Sequence, residues 1–263
     1  MSKIIAIANQ KGGVGKTTTC INLAASLAAT HRNVLLIDLD PQGNATMGSG
    51  IDKNSTKYTT CDLLLGDVNL KDLVVKNEEV EYDILPGNGD LTAAEVALME
   101  MPHRERKLRD ALADVREQYD YILIDCPPSL NMLTLNALVA ANSVMIPMQC
   151  EYYALEGLSS LIETVESIRN SVNPELQIEG LLRTMFDPRN NLANDVSGQL
   201  LLHFPKKVYR TIIPRNVRLA EAPSHGIPVL NYDKSSRGAL AYLALAGEIL
   251  RNDENSTLIG ASA

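Results

Sequence analysis

A glycine-rich loop near the amino terminus constrains the fold of this 263-residue chain more than any other feature. The loop, residues 11–18, follows an apolar strand-like run and leads into a helical pattern over 16–29. Glycines let backbone N–H groups converge on a polyphosphate, and the start of the helix adds a favourable dipole. Lys16 supplies positive charge for the β- and γ-phosphates, and the Thr17 hydroxyl can bind Mg²⁺. The pattern predicts a strand, a phosphate-binding loop and a helix, in that order.

The loop departs from the usual pattern G-x-x-x-x-G-K-[ST] at one position. The first glycine is replaced by Gln10, and a second lysine, Lys11, follows it. The other positions and the strand-to-helix context match, so we interpret the loop as a binding site for Mg²⁺ and ATP. The expected nucleotide-contacting residues of the loop are Lys11, Gly12, Gly13, Val14, Gly15, Lys16, Thr17 and Thr18.

The rest of the chain alternates apolar strand-like runs with helical patterns. Because the runs are continuously apolar, the sheet should be covered by helices on both faces, and the intervening helices imply parallel crossovers. We predict an α/β fold with a doubly wound, mostly parallel sheet, as one domain over 1–251 followed by a polar, frayed tail over 252–263. The expected strands are 4–8, 34–37, 82–85, 121–124, 144–147 and 178–185, and the expected helices are 16–29, 89–101, 103–117, 130–141, 155–171, 191–203 and 236–251.

Two of the predicted strands end in acidic residues. Asp38 and Asp40 close the second strand, and residues two apart on a strand point to the same side. Asp125 closes the strand that begins at Tyr121. Ligands of open α/β sheets bind at the carboxyl ends of the strands. The three carboxylates are therefore expected to face the phosphate loop.

Charge is distributed unevenly along the chain. The net charge is −8, which argues against DNA or anionic membrane as a partner if the charge is uniform. Residues 203–238, however, contain seven lysines and arginines against two acidic residues. The local excess fits either a solvated face or a surface for nucleic-acid phosphates.

The cysteines and the hydropathy pattern exclude several classes of protein. None of the four cysteines forms a C-x-x-C pair, which argues against a zinc or thioredoxin-like site. The sequence opens directly into a strand, with no signal-peptide pattern, and no apolar run reaches the length of a membrane span. These features predict a cytoplasmic protein with reduced cysteines and no membrane partner.

The variant loop K-G-G-V-G-K-T-T resembles the deviant Walker A motif of the ParA/MinD family of P-loop ATPases. The segment D-x-D-P-Q at Asp38 to Gln42 is similar to that family's A′ segment, and the strand ending at Asp125 resembles a Walker B strand. The resemblance implies that Lys11 reaches across a homodimer to the partner's nucleotide, as an arginine finger does. It implies that Asp40 orients the attacking water. The implied catalytic residues are Lys11, Lys16 and Asp40, and the implied metal-site residues are Thr17, Asp38 and Asp125.

The segment from Val208 to Gly226 closely resembles the chromosome-partitioning, Soj-type subgroup. In that subgroup, residues matching Pro214 and Asn216 line the adenine pocket, and arginines matching Arg189 and Arg218 contribute to nonspecific DNA binding. A proline ring offers a flat apolar face to a base, and an amide can read its edge. A plain turn at the first pair and a solvated surface at the arginines are the alternatives that the residues leave open.

The resemblance predicts a complete ATPase cycle. An ATP-bound sandwich homodimer would bind DNA nonspecifically, and a ParB-type centromere-binding partner would stimulate hydrolysis and release it. The protein would then be cytoplasmic and nucleoid-associated.

Two related activities require features that are weak in this sequence. A membrane-bound regulator of the MinD type needs a basic amphipathic carboxyl-terminal helix, whereas residues 252–263 are acidic and small. A redox ATPase like the nitrogenase iron protein needs cysteines that ligate an iron–sulfur cluster, and only Cys126 lies beside a motif carboxylate. The partitioning ATPase is therefore the favoured interpretation.

Overall fold

The computed structural model describes residues 2–66 and 68–260, and in this part of the chain eight strands form one sheet. The strands are β1 Lys3–Ile7, β2 Val34–Asp38, β3 Val75–Asn77, β4 Tyr82–Leu85, β5 Tyr121–Asp125, β6 Ser143–Met148, β7 Gln177–Phe186 and β8 Val208–Pro214. The α-helices of the described residues are α1 Lys16–Ala28, α2 Asn44–Gly48, α3 Thr60–Leu65, α4 Leu70–Leu73, α5 Leu91–Leu98, α6 Lys107–Leu112, α7 Met132–Ala140, α8 Ala154–Ser171, α9 Asn191–His203, α10 Val217–Glu221, α11 Val229–Tyr232 and α12 Arg237–Gly260.

The sheet is parallel except at one edge. Its strand order is β3-β4-β2-β5-β1-β6-β7-β8, and only β3 runs antiparallel to its neighbour, β4. Strand β1 lies between β5 and β6, so the loop that follows it opens at the centre of the sheet. The predicted doubly wound, mostly parallel α/β fold is confirmed.

Helices cover both faces of the sheet, which explains the continuously apolar strands. Along β1, Ile4 and Ala6 belong to one hydrophobic core, whereas Ile5 and Ile7 belong to the other. Successive side chains of a strand point to opposite faces, so a strand between two cores must be apolar at every position. The two cores hold β1 and its loop in a fixed position.

Some elements differ from the sequence-based expectation. Strands β3 and β8 were not predicted from the sequence. They lie at the two edges of the sheet, where one side of each strand has no neighbouring strand in the sheet. The expected helix 103–117 is interrupted, and only α6 is α-helical within it. The Asn136 amide accepts a hydrogen bond from the Leu108 N–H and donates one to the Arg104 carbonyl. Within this interrupted segment, a side chain of α7 thus forms hydrogen bonds with backbone groups of Leu108 and Arg104.

The last helix extends into the segment for which the sequence predicts a tail, residues 252–263. Helix α12 continues to Gly260, and residues 261–263 lie outside the described residues. Asp253 pairs with Lys3 of β1, and it accepts a 2.7 Å hydrogen bond from the Tyr121 hydroxyl of β5. A polar segment is thus held in a helix by contacts to residues distant in sequence.

None of the described helices combines the length and apolar character that a membrane crossing requires.

Candidate functional site

The glycine-rich loop is shaped by two residues with positive φ. Gly13 has φ 72° and Gly15 has φ 87°, values that favour glycine because it has no Cβ. Helix α1 begins at the next residue, Lys16. The carbonyl of Val14 accepts a 2.7 Å bond from the Thr184 hydroxyl, which fixes the loop to β7. The loop therefore presents backbone N–H groups at the start of a helix, as an anion site requires.

Lys16 occupies the position expected of a phosphate-binding lysine. It is buried, and its Nζ donates a 3.2 Å bond to the Lys11 carbonyl across the loop. Burial lowers the pKa of its ammonium group, and the nearby carboxylates of Asp125 and Asp40 oppose this shift. A phosphate bound in the loop would supply a negative charge that offsets the cost of burying the Lys16 ammonium group.

Asp125 and Asp38 lie side by side at the carboxyl ends of β5 and β2, where they are register partners. Oδ1 of Asp125 accepts a 3.3 Å bond from the Cys20 thiol, whereas Oδ2 is buried without a hydrogen-bond partner. Burial, and then the charge of Asp38, raise the pKa of the Asp125 carboxyl to about 8, while Thr17 and Cys20 act in the opposite direction. A buried carboxylate oxygen without a hydrogen-bond partner is suited to a positively charged ligand.

The residues around Asp125 fit a hydrated magnesium ion. The carboxyl group that carries the unpaired Oδ2 is also approached by the side chain of Thr17, which follows Lys16 of the phosphate loop. Within the described part of the chain, no cluster of three His, Cys, Asp or Glu residues could hold a metal by itself. Magnesium commonly takes one or two protein ligands, with waters and substrate phosphates completing its shell. The donor set therefore suits magnesium bound together with a nucleotide.

Asp38 has a defined structural role in addition to the expected metal role. Its Oδ2 accepts bonds from the Thr46 N–H at 2.8 Å and the Thr46 hydroxyl at 2.7 Å, and its Oδ1 accepts from the Asp40 N–H at 3.1 Å. Complete burial raises its pKa to about 6, and these hydrogen bonds oppose the rise. Asp38 thus ties α2 and the next acidic residue to the end of β2. Its participation in metal binding stays a prediction.

Asp40 is buried beside the phosphate loop. Its Oδ1 accepts a 2.9 Å bond from the Gln42 N–H, and its charge acts on Lys16. The structure therefore brings Asp40, Asp125 and Lys16 together, as the sequence predicts. The assignment of Asp40 to orienting water stays a prediction.

The Lys11 side chain is paired within its own chain. Its Nζ forms an ion pair with Glu151, which lies beyond the end of β6, and both side chains are half exposed. Glu151 and Thr184 are contact residues of the loop that no sequence motif indicated. Their only signal is that each lies at the carboxyl end of a predicted strand. The expected contact of Lys11 with a second protomer stays a prediction.

The remaining loop residues have distinct surroundings. A Cβ built on Gly12 would meet no atom of this chain within 4 Å. The Thr18 carbonyl accepts a 2.7 Å bond from the Asn22 amide, whose oxygen accepts from the Val229 N–H. Thr18 therefore belongs to the contact between α1 and α11, while Gly12 faces open space.

Pro214 and Asn216 lie at the same edge of the sheet as the loop. Pro214 is the register partner of Phe186, two residues beyond the Thr184 that holds the loop. The Asn216 oxygen accepts a 3.3 Å bond from the Leu219 N–H and caps α10. A structural turn is present, and adenine contact by this pair stays a prediction.

The two expected DNA-binding arginines are exposed, and each is paired within the chain. Arg189 binds both oxygens of Asp187, at 2.9 and 2.7 Å. Arg218 binds Glu221 at 2.7 Å and approaches Asp233 at 3.4 Å. Arg189 lowers the pKa of Asp187 to about 2, and Arg215 acts in the same direction. Exposed ion pairs stabilise little, so a phosphate can replace these carboxylates at small cost.

The chain is similar to known proteins over nearly its full length. A family model described as "AAA domain" matches residues 2–178. An uncharacterized protein of Pseudomonas putida is 67% identical over 251 residues, 95% of each chain. The chromosome partitioning protein ParA of Myxococcus xanthus is 52% identical, covering 96% of this chain and 89% of the relative. The sporulation initiation inhibitor protein Soj of Bacillus subtilis is also 52% identical, covering 96% of this chain and all of the relative.

The fold is also similar to that of a protein whose structure was solved with a bound nucleotide analog. Cobyrinic acid a,c-diamide synthase from Mycobacterium smegmatis, solved with an ATP analog and magnesium, superposes with a TM-score of 0.86. It is 36% identical, and the match covers 97% of each chain.

Proposed function

Because the chain belongs to the ParA/Soj family of chromosome-partitioning proteins, we propose that it is an ATPase that drives DNA partitioning by binding DNA in its ATP state. The observation that carries the proposal is the arrangement of Lys16, Asp40 and the unpaired oxygen of Asp125 at the phosphate loop. Magnesium, when bound, neutralises phosphate charge and would be held by Thr17 and Asp125. The protein would act in the cytoplasm, on the nucleoid.

Each site residue has a role in the proposed hydrolysis. The loop N–H groups and Lys16 bind the phosphates and stabilise the charge that develops on the transferred group. Asp40 orients the attacking water beside the γ-phosphate. Asp38 fixes the Asp40 backbone through its 3.1 Å bond, so the water-orienting group needs no rearrangement. Pro214 and Asn216 contact the adenine.

Dimerisation is expected to require that Lys11 leaves its ion pair with Glu151 of the same chain. Lys11 is held by Glu151 in the single chain, and the pair is half exposed. Such a pair contributes little stability, so a nucleotide phosphate on a second protomer can compete for the lysine. Gly12 faces open space, which leaves room for two loops to meet. We therefore expect an ATP-dependent sandwich homodimer.

The DNA surface is expected at the carboxyl ends of β7 and β8. Arg189, Arg215 and Arg218 are exposed there, although the chain as a whole carries −8. Phosphate contacts give affinity without sequence preference, and a dimer doubles their number. A ParB-type partner would stimulate hydrolysis and return the protein to its free state.

The test is DNA binding measured with ATP, with ADP and without nucleotide, each across a salt series. The proposal predicts binding to unrelated duplexes only with ATP, with log affinity falling linearly as log salt rises. Equal binding in all three nucleotide states would contradict it. ATP-dependent association with vesicles instead of DNA would favour a MinD-type activity.

A further inference from the structure

An open groove runs between α5, α7 and α8, on a surface that has no role in nucleotide or DNA binding as proposed above. Its volume is about 930 Å³. The residues that line this α5–α7–α8 groove include Glu95, Val96, Met99, Glu100, Leu130 and Glu163.

Large apolar side chains of the groove are exposed to solvent. The exposed fractions are 70% for Val96, 49% for Met99 and 41% for Leu130. Scattered apolar residues are common at protein surfaces, but several gathered in one concave feature mark an interaction site. The groove therefore offers an apolar floor to another molecule.

The charges around this floor have one sign. Glu95, Glu100 and Glu163 line the groove, and among the described residues no lysine or arginine does so. Glu95 already accepts a 2.9 Å bond from the Asn131 amide, and Glu100 and Glu163 are exposed. DNA would be repelled by such a rim. A second copy docked symmetrically through the same groove would bring acidic rims together. Charge complementarity thus selects a basic occupant.

The groove borders both segments that lead into the nucleotide site. Leu130 lies five residues beyond Asp125 in the chain. On the other wall, the Ser160 hydroxyl of α8 accepts a 3.3 Å bond from the Gln10 amide, which immediately precedes Lys11. An occupant would therefore contact residues that are joined to the Asp125 segment and to the residue before Lys11.

We propose that the α5–α7–α8 groove is the docking site for a basic amphipathic helix of the protein partner that stimulates hydrolysis. The partner role rests on the proposed function above. The helix inserts its apolar side chains among Val96, Met99 and Leu130 and places lysines or arginines against the acidic rim. This is the helix-in-groove mode of recognition, in which apolar anchors recur at i, i+3, i+4 and i+7.

The direct test uses a designed helical peptide of about 18 residues, with leucines on one face and lysines and arginines beside them. A second peptide replaces every basic residue by glutamate. Fluorescence anisotropy with the full chain, without nucleotide or DNA, should show binding of the basic peptide alone. Val96→Asp and Glu163→Lys should each weaken it by about tenfold, because they remove an apolar anchor and reverse a rim charge. Leu202→Asp is the matched control, since Leu202 is also 70% exposed but lies on α9.

Several outcomes would overturn the proposal. They are failure of both peptides to bind, equal binding of both peptides, or equal weakening by Leu202→Asp. Self-association of the wild-type chain without nucleotide that Val96→Asp abolishes would show that a second copy occupies the groove. Thermal unfolding of each variant establishes that the binding changes do not reflect misfolding.

A further measurement separates this proposal from the proposed function. In Val96→Asp and Glu163→Lys, the basal ATPase rate and ATP-dependent DNA binding should equal those of the wild type, while stimulation by the ParB-type partner is lost. Undiminished stimulation would contradict the groove assignment and leave the ATPase cycle intact. Absence of ATP-dependent DNA binding in the wild type would contradict the cycle, while peptide binding would still decide the groove.

Discussion

Individual residues of the site differ in how fully their polar atoms are paired. Both oxygens of Asp38 accept bonds from the chain, whereas Oδ2 of Asp125 has no hydrogen-bond partner. Lys16 is buried, and its Nζ donates a 3.2 Å hydrogen bond to the Lys11 carbonyl of the loop. We therefore expect nucleotide and magnesium to act on Lys16 and Asp125, while Asp38 keeps its partners throughout the cycle.

Replacing Lys16 tests the phosphate-loop assignment. Lys16→Ala should abolish measurable ATP binding, because the loop loses its buried counter-charge for the phosphates. Calorimetric titration measures the affinity, and Lys71→Ala, at an exposed position on α4, is the control. Affinity kept within about threefold, roughly 0.7 kcal/mol, would contradict the assignment.

Replacing Asp40 separates hydrolysis from binding. Asp40→Ala should lower the single-turnover hydrolysis rate by about 10²-fold or more, because the water loses its orienting carboxylate. ATP binding and DNA binding should persist, and the ATP-bound state should last longer. Asp52→Ala, at an exposed loop position, should behave as the wild type. Normal hydrolysis by the Asp40 variant would leave this residue a structural role at the strand end.

At the scale of elements, the hydrophobic pattern of the sequence predicted those strands and helices whose positions are determined by burial. The largely apolar β1, β2, β5 and β6 and the long helices α1, α8 and α9 were all predicted close to their observed bounds. The sequence did not reveal the short helices α2, α3 and α4, because they are held by contacts that carry no periodic signal. Helix α2 shows the reason, since its Thr46 is fixed by a carboxylate eight residues earlier.

The phosphate loop as an element predicts a second protomer. Gly12→Val should permit ATP binding, because a side chain at this position meets no atom of its own chain within 4 Å. It should block the ATP-dependent dimer by filling the space between two loops. Analytical ultracentrifugation with ATP gives the result. Gly198→Val on α9, also without neighbours within 4 Å, is the control. A dimer formed by the Gly12 variant would place the interface elsewhere.

The connection between β2 and α2 can be tested through its stability. Thr46→Val removes a hydroxyl that donates to Asp38 and accepts from the Gly87 N–H, leaving buried polar groups unpaired. The free energy of unfolding should fall by about 1–3 kcal/mol, as measured by denaturant titration. Thr46→Ser keeps the hydroxyl and should lose less. Equal stabilities of the valine variant and the wild type would show that these bonds contribute nothing net.

At the scale of the whole molecule, charge is arranged so that an acidic chain can present basic groups. The sequence predicted the local excess over 203–238, but not that Arg189 would pair with Asp187 of its own loop or that Arg218 would pair with Glu221 on α10. Side-chain pairing in a loop depends on backbone geometry that composition does not encode. The edge where the parallel strands end, by contrast, follows from fold class alone, so the placement of Asp40 and Asp125 could be predicted.

Reversing one of these charges tests the DNA surface. Arg218→Glu should weaken DNA binding strongly at moderate salt and reduce the slope of log affinity against log salt by about one unit for each lost phosphate contact. Arg169→Glu is the matched control, because Arg169 is likewise exposed and paired three residues away along a helix. ATP affinity is measured in parallel, since Asn216 is close in sequence. An unchanged affinity and slope would move the DNA surface elsewhere.

The pairing of Lys3 with Asp253 joins residues 250 positions apart and has a consequence for biosynthesis. Strand β1 leaves the ribosome before its neighbours β5 and β6, which follow more than a hundred residues later. Helix α12 follows these strands, and its Tyr242 hydroxyl lies 3.1 Å from Thr19 of α1, the helix that starts at the phosphate loop. In a nascent chain, β1 therefore lacks its neighbouring strands until β5 and β6 have been made. The nucleotide site acquires the support of α12 only when that helix has emerged.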